Sequence, residues 1–153
     1  MHLQNSTQPC SFGESRLCNV FTRRTGKSQY KVYDSAGTIA VGAAVQFDEN
    51  GEVVIGATNK QVIGVAVAAA TSSTTCTVDV IDDGSEWEAT ATTTAAASTD
   101  VGKQIDFASS SGVAVDPGVT TNNDFTVTAF INTTKLVVVF NQAGLAKHVV
   151  GLE

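Results

Sequence analysis

The sequence has few of the residues on which enzymes and metalloproteins usually depend. It contains only two histidines, His2 and His148, both close to the chain ends. No serine or cysteine lies in a nucleophile-elbow context, and the glycines lack the spacing of a phosphate-binding loop. We therefore expect a protein without enzymatic activity and without a cofactor.

Charged and aromatic side chains are scarce as well. Charged residues make up 16% of the chain, against the usual quarter, and the aromatic residues are seven Phe, two Tyr and one Trp. No apolar run approaches eighteen residues, and no basic segment followed by an apolar stretch opens the sequence. We therefore expect neither a membrane-spanning segment nor a signal peptide.

The three cysteines cannot form a closed set of disulfides, because their number is odd. Cys76 alternates with apolar residues and is predicted to be a small buried residue. Cys10 and Cys18 could form a bridge or, with His2, bind a metal, but their spacing matches no standard zinc pattern and a fourth ligand is missing. Free thiols are the preferred interpretation, and no metal site is predicted.

What the chain does have is a series of short segments rich in Thr, Val and Ala, between Tyr30 and Asn141. Gly, Asn, Asp or Ser bounds each segment, which is typical of short antiparallel strands in a sandwich or barrel. We predict an all-β fold, a single sandwich or barrel. The clearest strand segments are Thr38–Phe47, Gln61–Ala68, Thr75–Asp82, Asp124–Ile131 and Lys135–Asn141.

Some local features are predicted more closely. Asn50-Gly51 indicates a hairpin, because both residues tolerate positive φ. A second hairpin is expected around 132–134, and its apolar strand Leu136–Phe140 is predicted to be central and covered on both faces. One short helical turn is expected after Ser98 or Thr99.

Charge is distributed unevenly along the chain. Residues 1–31 hold five cations and one acid, a net charge of +4, whereas residues 32–153 hold four cations and fourteen acids, a net charge of −10. We predict an N-terminal arm (1–29), a β domain (30–141) and a C-terminal tail (142–153). The alternative is that part of the arm forms an edge strand of the body. Nucleic acid is not an expected partner, because the acidic body would repel a phosphate backbone.

One acidic cluster has more than one interpretation. Its carboxylates could form a glycosidase pair or a calcium site, and its tryptophan could stack on a sugar. The preferred interpretation is an acidic hairpin whose turn needs Asp and Gly, with the tryptophan as a core or interface anchor. The residues concerned are Asp79, Asp82, Asp83, Glu86, Trp87 and Glu88.

Four stretches carry a family resemblance. Ala40-Val41-Gly42-Ala43-Ala44-Val45-Gln46-Phe47-Asp48-Glu49-Asn50-Gly51, followed by Val62-Ile63-Gly64-Val65-Ala66, resembles the capsid decoration (cement) proteins of tailed phages. Asp100-Val101-Gly102-Lys103 and Phe125-Thr126-Val127-Thr128 are similar to phage virion structural proteins. The resemblance covers residues 38 to 141 and consists of turn and packing motifs.

This resemblance implies a β domain that attaches in many copies to the outside of the expanded capsid and clamps neighbouring capsomers. The implied partner is the major capsid protein, the implied location is the virion exterior after synthesis in the host cytoplasm, and a homotrimer is the expected assembly. The alternatives are a calcium- or glycan-binding fibre module, or a tail or head-completion protein. The arm residues expected to contact the capsid are Phe12, Leu17, Phe21, Arg23 and Arg24.

Overall fold

The structure, a computed structural model, describes residues 21–57, 61–82, 84–108 and 112–141. In these residues the regular structure is β, apart from one turn of 3-10 helix at Ser98–Asp100, so the all-β prediction is confirmed. No helix in this part of the chain is long and apolar enough to cross a membrane. The strands are β1 (Thr22–Arg23), β2 (Tyr30–Asp34), β3 (Ala44–Phe47), β4 (Val53–Ile55), β5 (Val62–Ala66), β6 (Thr75–Val80), β7 (Glu86–Thr90), β8 (Gln104–Phe107), β9 (Val115–Asp116), β10 (Phe125–Asn132) and β11 (Lys135–Phe140).

The first sheet has five antiparallel strands in the order β2-β6-β5-β3-β4. Ser35, directly after β2, forms a parallel bridge with Val53 of β4, so the two outer strands of this sheet meet. The curled sheet encloses a small core that includes Ile39, Cys76 and Val78. Cys76 is fully buried, as predicted, and burial raises the pKa of its thiol.

The second sheet has six strands in the order β1-β7-β11-β10-β8-β9. Ala91, directly after β7, forms a parallel bridge with Val115 of β9, so this sheet also curls back on itself. Its core contains most of the large aromatic side chains of the described residues, among them Trp87 and Phe125. Ala44 and Val65, on the outer face of the first sheet, belong to the same cluster and join the two sheets.

Both predicted hairpins are present. Asp48 closes the first, since its backbone oxygen accepts from the Gly51 N–H and its carboxylate accepts from the Asn50 and Glu52 N–H groups. The second joins β10 to β11, and β11 lies inside the sheet with Leu136, Val137 and Val138 buried. The helical turn is found where it was predicted.

The predicted strand Thr38–Phe47 is wrong in its first half. Regular pairing begins only at Ala44, because the chain turns at Val41 and Gly42. Gly42 has φ +84°, a left-handed conformation that glycine adopts without steric cost. Ile39 nevertheless bridges to Ala70, which places its side chain in the core of the first sheet.

Candidate functional site

The segment that precedes the first sheet is attached to both sheets. β1 pairs with β7 at the edge of the second sheet, with Thr22 opposite Glu88 and Arg23 opposite Trp87. Phe21 is 3% exposed and packs among Phe125 and the other rings of the second core. Residues 21–29, assigned to the arm from the sequence, therefore lie on the domain, in agreement with the edge-strand alternative.

Arg23 is the centre of this attachment. Its Nε and Nη2 donate to the two carboxylate oxygens of Asp79 on β6, at 3.1 and 2.9 Å. Its Nη1 donates to Asp82 Oδ1 at 2.6 Å and to the Thr25 oxygen, and its Nη2 also donates to the Val80 oxygen. All five N–H donors of the guanidinium are thus satisfied, which is the condition for burying this group at low cost.

The network continues on both sides of this bidentate pair. Asp79 also accepts hydrogen bonds from the Ser28 hydroxyl and the Gln29 backbone N–H, so it holds the segment that leads into β2. The Arg23 guanidinium carbon lies 4.5 Å from the centre of the Trp87 ring. We call the group of Arg23, Asp79, Asp82 and Trp87 the arginine clamp.

Two further residues keep the clamp in place. Ser85 accepts a hydrogen bond from the Trp87 indole and donates one to the Asp82 backbone oxygen, which fixes the turn after β6. At Gly26, with φ +86°, an added Cβ would lie 2.7 Å from Asp82 Oδ2 and 2.8 Å from Arg23 Nη1. Only glycine fits this position without displacing the ion pair.

The clamp shifts the pKa values of its members. Burial acts to raise the pKa of Asp79, but hydrogen bonds from Arg23, Gln29 and Ser28 prevail and hold it below the ordinary value. The hydrogen bond from Arg23 likewise lowers the pKa of Asp82. The hydrogen bond to Asp79 raises the pKa of Arg23, so the pair is ionised at neutral pH.

These shifts predict a loss of stability in acid. A carboxylate whose pKa is lower in the folded than in the unfolded protein stabilises the fold above the unfolded value, about 3.9. That stabilisation disappears as the pH falls through this value towards the folded pKa. We expect the melting temperature to drop between pH 5 and pH 3, and we expect the difference between the wild-type protein and Arg23→Met to narrow over the same interval. A difference that stays constant with pH would show that the clamp carboxylates do not titrate as described.

The acidic cluster does not form a cation site in the described residues. Asp79 and Asp82 are engaged by Arg23, and no group of three or more His, Cys, Asp or Glu in this part of the chain could hold a metal ion. Asp83 lies outside the described residues. Trp87 is 1% exposed, so its ring faces cannot stack on a sugar. The interpretation of Trp87 as a core anchor is confirmed.

Of the five residues predicted to contact the capsid, the structure describes three. Phe12 and Leu17 lie outside the described residues, as do Cys10, Cys18 and the tail at 142–153. Phe21 and Arg23 are engaged inside the domain. Arg24 remains half-exposed, with a single long ion pair of 3.5 Å to Glu88, which also pairs with Lys135.

Sequence reasoning missed the pairing of Arg23 with Asp79. In the alternation of β6, Asp79 shares a face with Thr77, opposite Val78 and its apolar neighbours, so the pattern predicts an exposed residue although Asp79 is buried. A carboxylate buried in this way requires a cation or several donors. The cations of the chain cluster in residues 16–31, which makes that segment the natural source of a partner. Arg23 and Asp79 are 56 positions apart in the sequence, so no local pattern links them.

Residues 19–81 match a family model described as phage cement protein. The matched stretch includes β1 to β6, hence the whole first sheet and both partners of the Arg23–Asp79 pair. None of the curated proteins compared with the chain matches it. The family resemblance read from the sequence over residues 38 to 141 is confirmed where the match overlaps it, at residues 38–81.

Proposed function

We propose that this chain, a phage cement protein by the match of residues 19–81, binds the outer surface of the expanded capsid in many copies and stabilises the shell by bridging capsid subunits. The family match is the observation that carries the proposal, since cement proteins are structural components of the virion. The proposed partner is the major capsid protein, and the proposed role is non-enzymatic. A homotrimer at local three-fold positions is part of the proposal.

The fold supports this role physically. The outer strands of the first sheet meet at the Ser35–Val53 bridge, and β9 of the second sheet meets the end of β7 through the Ala91–Val115 bridge, which reduces the unpaired edge backbone that could cause uncontrolled association. A cement protein needs weak contacts that are repeated by symmetry, because many copies then combine into strong attachment. We propose Phe12, Leu17 and Arg24 as direct capsid contacts, with Phe21 and Arg23 anchoring the segment that carries them.

The experiment is a titration of the purified protein against expanded capsids that lack it, read by co-sedimentation. We expect saturation at a simple ratio to capsid subunits, and the ratio identifies the symmetry position. Saturation at no defined ratio, or an absence of binding, would contradict the proposal. Ring or tube formation without capsids would instead support a tail or head-completion role.

A truncation tests the arm. Removal of residues 1–20 retains Phe21, β1 and the clamp, so we expect a folded domain with a melting temperature close to that of the full chain. We also expect capsid binding to be lost or weakened by at least about tenfold, because the apolar anchors Phe12 and Leu17 are removed. Unchanged saturation by the truncated protein would refute the arm contacts.

A further inference from the structure

The outer face of the first sheet carries large apolar side chains that the second sheet does not cover. Tyr30 and Val32 on β2 are 60% and 61% exposed, and Val67, directly after β5, is 41% exposed. Elsewhere on the same face, Ala44 and Val65 are buried against the second sheet. The sheet thus has one half of this face packed and the other half open.

Strand register places the open residues side by side. Val32 lies opposite Thr77 of β6, and the Val67 N–H donates to the Thr77 backbone oxygen from the other side. Tyr30 lies opposite Asp79 of the arginine clamp, so the clamp borders these exposed residues. We call the surface formed by Tyr30, Val32, Val67 and Thr77 the β2 face.

One exposed cation lies just before this strand. Lys27 is exposed and forms no ion pair with any residue in the described ranges. Lys31, on β2, is also exposed, but it lies opposite the core residue Val78, so its side chain belongs to the other face of the sheet. An unpaired cation beside an apolar surface attracts an apolar patch that carries carboxylates.

Phe21, the first described residue, lies at the border of the β2 face. The Phe21 N–H donates to the Gly42 oxygen at 2.9 Å, and the Gly42 N–H donates to the Ala66 oxygen at 2.8 Å. The Phe21 backbone therefore lies near Ala66 and its neighbour Val67. We expect a partner that binds directly before Phe21 to lie close to the β2 face.

From this placement we infer that the β2 face is a second docking surface, which rests on the shell beside the N-terminal segment. Its partner is an apolar protein surface with carboxylates at its edge, contributed by the capsid. This inference depends on the proposed function and adds to it the side of the domain that faces the shell. Because the segment and the face are linked by the chain itself, each raises the effective concentration of the other at the partner.

The test compares two double variants in the co-sedimentation titration. Tyr30→Thr with Val32→Thr removes the apolar surface but keeps β propensity, and we expect the apparent Kd to rise by about tenfold or more. Val101→Thr with Val119→Thr is the matched control, since these residues are 48% and 39% exposed but lie outside the first sheet. We expect the control to bind like the wild-type protein. Melting temperatures verify that both variants are folded.

Charge is tested by Lys27→Glu, with Lys31→Glu on the other face of the sheet as the control. For Lys27→Glu we expect weaker binding and a shallower dependence on salt concentration than for the wild-type protein, because electrostatic attraction is screened by salt. We expect the control to bind more like the wild-type protein.

Three outcomes overturn the inference and are distinguishable. If the wild-type protein binds and the β2-face variants bind equally well, the inference fails and the proposed function stands. If the wild-type protein does not bind, both fail. If the variants change only the oligomeric state of the free protein, the face is an interface between copies of this chain.

Discussion

Arg23→Met is expected to lower the free energy of unfolding by about 3–5 kcal/mol, because it leaves the Asp79 carboxylate buried without its bidentate partner. The Arg23 and Asp79 side chains are only 10% and 7% exposed, so water cannot replace the lost hydrogen bonds. The stacking of Arg23 on Trp87 is lost at the same time. Urea unfolding followed by the fluorescence of Trp87, the only tryptophan, measures the change.

The neighbouring residue provides a matched control. Arg24→Met makes the same substitution at a side chain that is 47% exposed and forms only a 3.5 Å pair with Glu88. Exposed pairs of this kind contribute about 0–1 kcal/mol, so we expect a small effect. Equal losses for the two variants would show that the clamp is not the main attachment of the segment. Restored stability in Arg23→Met combined with Asp79→Leu would identify the unpaired carboxylate as the cause.

Phe21→Ala is the second substitution with a large expected effect. The ring lies in the second core, with centroid distances of 5.2 Å to Phe140, 5.6 Å to Phe125 and 6.1 Å to Phe107. Truncation of a buried phenylalanine costs about 3–5 kcal/mol, since it leaves a cavity among side chains that relax only partly. The free energy of unfolding from urea titration gives the value.

Phe130→Ala is the control for this substitution, because Phe130 lies at the end of β10 and is 36% exposed. We expect a loss well below that of Phe21→Ala. If Phe21→Ala left stability unchanged but weakened capsid binding, Phe21 would be a contact residue, as the sequence first indicated, and its place in the core would be wrong.

Local pattern was sufficient to predict much of the fold. Period-two alternation located β6, and Asn50-Gly51 and the 132–134 turn located two hairpins, because strand and turn preferences act between residues close in sequence. The continuous apolar run of β11 correctly indicated a central strand. These features depend on neighbours within about ten positions.

The attachment of residues 21–29 could not be predicted in the same way. β1 has only two residues, too few for a periodic signal, and its partner β7 follows more than sixty positions later. A short strand of this kind is stable because Phe21 and Arg23 are buried by tertiary contacts, and the sequence around them is polar. The polar, basic composition of the segment was therefore the only signal available, and it indicated an arm.

Only part of the candidate site could be predicted, because its contacts also join residues that are distant in sequence. The uneven charge drew attention to the N-terminal cations, but charge does not distinguish a cation that binds a partner from one that is neutralised within the fold. Arg24 and Arg23 are adjacent and chemically identical, yet one is half-exposed and the other is saturated by Asp79 and Asp82. The two side chains differ in what they face, since Arg23 on β1 points to Asp79 and Arg24, directly after β1, points to Glu88.

The pairing of β1 with β7 also has a consequence for the order in which the chain folds. The first sheet is closed by residues up to Val80, whereas Thr22 must wait for Glu88, 66 positions later in synthesis. Because contacts over long separations form slowly, β1, the first strand of the described residues, cannot pair until the whole first sheet and β7 have been made. Phe21 thus acquires its fixed position only after these later strands exist, so that a shorter, unfinished chain does not hold this residue in the geometry of the finished one.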